Sequence, residues 1–167
     1  MNKQEFIVRE ANLDDSEVIV ELVKQLGKFE GFQENDMPVT VELIKENVFQ
    51  KGYCKILIAE TNVEKIGLCS YYFTFSLTRG KPSIMIEDFY VIPPYRRKGV
   101  GFKLIKILAE VAVKENCESI EWACLKWNKG ALDFYKSIGS KILETPELFS
   151  IEKEGILKIN EDFVGEI

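Results

Sequence analysis

The run Arg96-Arg97-Lys98-Gly99-Val100-Gly101 has the residue types and spacing of a phosphate-binding turn. Its glycines allow a sharp turn and a close approach of backbone to a ligand. A helix opening at Val100 would leave its first N–H groups unpaired and carry partial positive charge. Basic side chains stand just before it, so the segment suits a pyrophosphate. A basic turn that merely caps a helix is the competing reading of so short a motif. A dinucleotide-binding turn is disfavoured, because Leu104 stands where Gly-x-Gly-x-x-Gly needs its third glycine. No Gly-x-x-x-x-Gly-Lys-Ser/Thr loop occurs.

The rest of the composition narrows the chemistry. The 167-residue chain contains no histidine. This removes Ser–His and Cys–His nucleophilic pairs and histidine metal ligands. Proton chemistry falls to carboxylates, Tyr, Lys, Cys or water. The cysteines, Cys54, Cys69, Cys117 and Cys124, lack Cys-x-x-Cys spacing. They read as buried free thiols of a reducing cytosol, not as disulfides or a metal site. Acidic residues outnumber basic ones 27 to 22, for a net charge of -5. That argues against a general nucleic-acid binder and suits a cationic substrate. Residues 1–9 lack an apolar signal segment, and no run is long enough to span a bilayer. A cytoplasmic protein with no membrane partner is expected. A length of 167 residues with 46% hydrophobic content predicts one domain over residues 1–167.

The surrounding segments must form a sheet that presents the turn. Residues 6–8 read as a short strand, and Asn12 or Asp14 as the cap of the next helix. There Val18, Leu22, Val23 and Leu26 recur at helical spacing, and Gly27 marks weakening or an end. Residues 29–38 then read as a loop. Thr40 can cap a second short helix with Val41, Ile44 and Val48 on one face. Strands are predicted over 54–60, 65–76 and 84–92, with 78–82 a connection and Pro93-Pro94 ending the last of them. The helix over 100–115 puts Val100, Leu104, Leu108, Val111 and Ala112 on one face, as in a helix that covers a sheet. A strand over 119–125 and a helix over 130–137 follow, with Gly139 suited to close that helix. Strands over 141–143, 148–151 and 155–159 are expected to end the chain. This order implies an α/β (α+β) fold, a mixed sheet with helices on its faces.

In this order the motifs resemble the GCN5-related N-acetyltransferases. Arg96-x-x-Gly99-x-Gly101 matches that family's signature. Tyr71-Tyr72-Phe73-Thr74-Phe75, Glu87-Asp88-Phe89-Tyr90-Val91, Tyr95-Arg96, Trp127-Asn128 and Asp133-Phe134-Tyr135-Lys136 are similar to its spermidine/spermine and thialysine N-acetyltransferase branch. The resemblance runs over residues 6–159. It implies a mixed, mostly antiparallel sheet flanked by helices, with a splay between central strands that admits the cofactor. It implies acetyl-CoA as donor, with no metal. The backbone N–H groups of Arg97, Lys98, Gly99, Val100, Gly101 and Phe102 would hold the pyrophosphate, with Arg96 bracing the turn. Phe102 departs from the small or hydroxylated residue often found there. The backbone of Phe89, Tyr90 and Val91 would pair with the pantetheine arm. Asn128, Lys129, Gly130 and Ala131 match a further cofactor-contacting segment.

The resemblance also assigns the acceptor chemistry. Tyr135 matches the general acid. A thiol titrates near ~8.5 and a phenol near ~10, so a phenol stays protonated at neutral pH and can serve the departing sulfur. By pattern alone Tyr135 reads as a core tyrosine. Glu87 matches a substrate-site carboxylate. An alkyl ammonium titrates near ~10.4, so a carboxylate can hold the cation and relay its proton. Strand alternation would point the adjacent Asp88, also a candidate substrate-site residue, to the other face, and a backbone bulge here would change which of the two faces the cleft. Phe29-Glu30 aligns with a Tyr-Glu pair that contacts polyamine in relatives. After Gly139, relatives carry Glu-Gly-Trp; here Glu144 to Leu148 is shorter, lacks the Trp, and leaves Glu147 as the available carboxylate. The implied reaction is direct acetyl transfer to a primary amine of a small diamine, polyamine or lysine analogue, by a homodimer. The alternatives are a protein or peptide N-acetyltransferase of the same fold and a CoA-binding regulatory domain without turnover.

Overall fold

A computed structural model describes residues 5–143 and 150–162. The chain divides into two compact units, Met1–Lys129 and Gly130–Ile167. The first holds a five-stranded sheet: β1 (Ile7–Glu10), β2 (Lys55–Glu60), β3 (Lys65–Ser76), β4 (Lys81–Val91) and β5 (Ile120–Trp122), adjacent in that order. Neighbours from β1 to β4 are antiparallel, and β4 and β5 are parallel. A parallel pair needs a crossover, supplied here by helix α3 (Val100–Lys114). The expected mixed, mostly antiparallel sheet is therefore present.

Strand alternation divides the core into two layers. On one face Leu57, Ala59, Ile84 and Ile86 pack with Val100, Leu104 and Leu108 of α3. On the other, Ile56, Ile58 and Leu68 pack with Ile19, Leu22 and Leu26 of α1 (Ser16–Glu30). Each such aliphatic side chain contributes about 1.5–3 kcal/mol on full burial. The Asn12 side chain accepts from the Asp14 N–H in a capping box ahead of α1. Thr40 caps α2 (Val41–Ile44), which one wider helical turn, Lys45–Gln50, extends.

Several boundaries differ from the sequence reading. Helix α1 does not end at Gly27 but runs to Glu30, and Gly31 closes it at φ 99°. Gly27 is buried, and a Cβ there would lie 2.2 Å from the Met37 sulfur. The glycine thus makes room for a neighbour's side chain within the helix. Phe29 and Glu30 consequently sit on a rigid last turn and not in a loop. Strand β4 begins at Lys81, inside the expected connection. Strand β5 is shorter than expected, and Cys54 and Cys124 fall just outside strands. Among the thiols only Cys69 is buried; Cys54, Cys117 and Cys124 are half-buried.

In the second unit α4 spans Lys129–Ser137, one residue longer at its start than expected, and Gly139 follows at φ 87°. Residues 141–143 form no strand. The strand expected over 155–159 is instead part of α5 (Lys153–Asp162). So short an apolar run carries no decisive periodicity, and a strand needs a ladder partner while a helix closes its own hydrogen bonds. Residues 148 and 149 of the other expected strand lie outside the described residues; Ser150 and Ile151 form no strand.

One ionic cluster ties β1, β2, β3 and the start of α1 together. The Arg9 guanidinium donates to both Asp15 oxygens (2.7 and 2.8 Å) and both Glu60 oxygens (2.9 Å each). Lys65 also donates to Glu60. Asp15 is buried, so its charge depends on this pairing. The hydrogen bonds from Arg9 are the main cause that holds Asp15 and Glu60 below their ordinary carboxylate values. Groups depressed on folding add stability above their unfolded values and lose it as pH falls through the folded ones. Arg9→Met should therefore cost about 3 kcal/mol at pH 7 by urea denaturation. The gap to wild type should be full above about pH 5 and shrink on acidification.

Candidate active site

The site is built where β4 and β5 part. Their ladder pairs Ile84 with Ile120, Met85 with Glu121 and Ile86 with Trp122, and stops there. Strand β4 runs on to Val91 with β3 on its other side. From Glu87 onward β5 offers β4 no partner. Beyond Ile86, β4 is paired in the sheet with β3 alone as far as Val91.

The chain then turns into the anion motif. Pro93–Tyr95 forms one short helical turn, and Tyr95 is buried with its hydroxyl 2.8 Å from Glu64. Arg97 and Gly99 both take left-handed conformations, φ 59° and 88°. Gly99 is the N-cap of α3 and places no side chain over the first N–H groups. A Cβ on Gly99 would meet no atom within 4 Å, so it would stand in the open space above that helix end. Arg97, Lys98 and Phe102 are exposed; Gly101 is half-buried. The arrangement fits a pyrophosphate by backbone donors, left-handed turn and dipole together.

Arg96 braces the turn. Its Nε donates to the Val91 carbonyl at 2.8 Å, and its guanidinium lies 4.8 Å from the Phe29 ring and 5.5 Å from the Tyr90 ring. The arginine thus joins the end of β4 to the last turn of α1. Phe29 also meets Trp127 at 5.5 Å between ring centres.

Carboxylates gather on the α1 side of the splay. In the β3–β4 ladder Cys69 faces Phe89 and Tyr71 faces Ile86. Ser70 therefore opposes two residues, Glu87 and Asp88, which makes a bulge. Strict alternation fails here: Ile84 and Ile86 share the α3 layer with Phe89 and Val91, an odd step apart. Asp88 is half-buried, and its carboxylate and backbone N–H both bond the Ser70 hydroxyl, at 2.7 and 2.9 Å. Glu87 is exposed. Loss of water around the Glu30 carboxylate, then the Asp88 charge, raise Glu30 above the ordinary glutamate value. Burial, then Asp88 and Glu87, push up the Cys54 thiol. Burial, then Glu30, push up Cys124, and burial with Asp88 takes Cys69 to about 12. These thiols stay protonated at neutral pH and are poor nucleophiles.

The first unit therefore brings together Phe29, Glu30, Glu87, Asp88 and the anion turn. Trp127, read from sequence only as part of the Trp127-Asn128 motif, joins them through Phe29, and Ser70 joins them without having been singled out from sequence. A serine inside the apolar run before Tyr71, opposite two consecutive acids, was the available signal for Ser70. Asn128 and Lys129 follow a turn in which the Asn128 N–H donates to the Leu125 carbonyl. In the second unit Gly130 and Ala131 open α4, and Tyr135 is half-buried with its ring 5.4 Å from Phe134. Glu147 lies outside the described residues. Among the described residues no group of three or more Cys, Asp or Glu side chains could hold a metal ion. None of the described helices is long and apolar enough to cross a membrane.

A sheet that parts beside an anion-binding helix end is the frame of an acyl-transfer enzyme with a phosphate-bearing donor. Residues 20–139 match the Acetyltransferase (GNAT) family, whose enzymes use acetyl-CoA as co-substrate. The chain belongs to that family and is an acyltransferase. It is 34% identical over 150 residues to thialysine N-epsilon-acetyltransferase of Bos taurus, covering 84% of this chain and 87% of the relative. It is 28% identical over 162 residues to the human spermidine/spermine N(1)-acetyltransferase-like protein 1, covering 91% of this chain and 23% of that longer protein. An integron cassette protein from the mobile metagenome of V. cholerae shares the fold, with a TM-score of 0.75 at 24% identity over 93% of this chain and 98% of that one.

The electrostatics give a direct check. In a carbon-13 carboxyl NMR titration Glu30 should titrate above the ordinary glutamate range. Asp88→Asn should bring it down only part of the way, because loss of water is the larger cause. An unchanged Glu30 titration in that variant would show that the two carboxylates do not interact.

Proposed function

We propose that this protein transfers the acetyl group of acetyl-CoA to a primary amine of a small diamine, polyamine or lysine analogue. The observation that carries this reading is the interaction of Asp88 with Glu30 on the α1 side of β4, with Glu87 exposed beside Asp88 in the bulge. The names of the thialysine and spermidine/spermine relatives support the same substrate class. When bound, acetyl-CoA supplies the activated acetyl thioester. The N–H groups from Arg97 through Phe102 hold its pyrophosphate, and the edge of Phe89 to Val91 orients its arm. Asn128 to Ala131 add a further contact. Glu87 takes a proton from the acceptor ammonium, and Tyr135 keeps a proton at its hydroxyl for the leaving sulfur. Glu30 and Asp88 hold a second positive charge, and the rings of Phe29 and Trp127 give an aliphatic chain an apolar wall. Transfer is direct: the chain has no histidine, and Cys54, Cys69 and Cys124 are held protonated.

The protein is read as a cytoplasmic homodimer. Phe73, Phe75 and Leu77 are exposed on the β3–β4 hairpin, apolar surface that a second copy would cover. A monomer in sedimentation equilibrium at micromolar concentration would overturn the dimer.

An amine panel with acetyl-CoA, read by thiol release, tests the activity. Diamines and lysine-like amines should saturate below matched monoamines at low salt, with the difference narrowing as salt is added. Acetylation of peptide amines alone would favour a protein acetyltransferase, and CoA binding without turnover a regulatory domain. Gly99→Val puts a side chain in the proposed phosphate space and strains the left-handed turn at φ 88°, so acetyl-CoA binding by calorimetry should weaken and the melting temperature should fall with it; unchanged affinity would defeat the assigned phosphate site. Tyr135→Phe should bind acetyl-CoA normally and lose about ten- to a thousandfold in kcat. Wild-type turnover across the pH range would remove Tyr135 from the mechanism.

A further inference from the structure

The bulge at Glu87–Asp88 poses two local problems. It takes the Asp88 N–H out of register with β3, where a buried donor needs an acceptor. It also leaves the Asp88 carboxylate free to choose between rotamers. The Ser70 side chain answers both. Ser70 is 4% exposed and sits directly opposite the bulge. Its oxygen accepts the Asp88 N–H at 2.9 Å, and its hydroxyl donates to Asp88 Oδ2 at 2.7 Å. Both functions of one hydroxyl are therefore spent on one residue. A hydrogen bond to a carboxylate is short and strong and selects one orientation of the group. Asp88 stands two residues before Tyr90, which packs in the α1 layer, and the Arg96 guanidinium links Tyr90 to Phe29, the neighbour of Glu30. The Asp88 charge there acts on Glu30 as well as on Cys54 and Cys69.

We propose that Ser70 is a positioning residue that locks the Asp88 carboxylate beside Glu30, so that Asp88 and Glu30 form one subsite for the second cationic group of the acceptor. The proposal rests on the amine-acceptor reading above and specifies which end of the substrate the pair serves. Two carboxylates held close repel each other, and an arriving ammonium relieves that repulsion. An acceptor with only one amino group gains nothing from the subsite. Ser70 should therefore govern the choice between diamines and monoamines and leave the donor untouched.

The test compares Ser70→Ala, Ser70→Thr, Asp88→Asn and the Ser70→Ala/Asp88→Asn double variant. The readouts are KM and kcat for a diamine and a chain-matched monoamine, the acetyl-CoA Kd, and the melting temperature. Ser70→Ala should raise the diamine KM about three- to tenfold, with kcat within about twofold and both monoamine KM and acetyl-CoA Kd unchanged. Ser70→Thr keeps the hydroxyl and should restore the diamine KM. In the Asp88→Asn background the alanine change should have no further effect on KM, since interacting residues are not additive. Equal diamine and monoamine effects, an unchanged diamine KM, or a full serine effect without the Asp88 charge would overturn the proposal. A lowered melting temperature with unchanged diamine preference would assign Ser70 a structural role only and overturn it likewise. A wild-type protein that turns over no amine would defeat the acceptor reading itself, and would be seen before any variant is compared.

Discussion

The ladder between β4 and β5 is three residue pairs long, and the site depends on its shortness. A parallel strand must be reached by a crossover, so α3 is compelled to start near the end of β4 and cover the sheet. Because β5 stops at Trp122, β4 runs on beyond it, paired in the sheet with β3 alone, to where the chain turns into the start of α3. Pro93 and Pro94 cannot extend the ladder, and Tyr95 then anchors the turn in the core. The end of β4 and the glycine-capped start of α3 therefore adjoin.

The same stretch of β4 also carries the carboxylates Glu87 and Asp88. The bulge opposite Ser70 brings Asp88 onto the side occupied by α1, and the final turn of that helix brings Glu30. The acidic cluster and the basic turn are thus neighbours of opposite sign, with Arg96 between them. Arg96 satisfies the Val91 carbonyl and lies against Phe29 and Tyr90, so its charge is held by aromatic faces and a backbone dipole. Glu30 is raised chiefly by loss of water, with the Asp88 charge a smaller cause.

Local pattern was enough to read the anion turn, the buried stripe of α3 and the long strands β3 and β4. In each case period, cap or breaker lies within a few residues. The family resemblance rested on the same segments. What the chain alone determined is hence the class of fold and the family, whose enzymes use acetyl-CoA. The tertiary structure decided where each carboxylate goes. Gly27 reads as a stop locally, but Met37 fills the space beside it and α1 continues, which puts Phe29 and Glu30 on a helix. Glu87 and Asp88 read as opposite faces, but the register against β3 inserts a bulge and hands Asp88 to Ser70. The run over 155–159 reads as a strand, but it forms a helix. These outcomes turn on packing and on hydrogen-bond partners remote in the chain, which no local window contains.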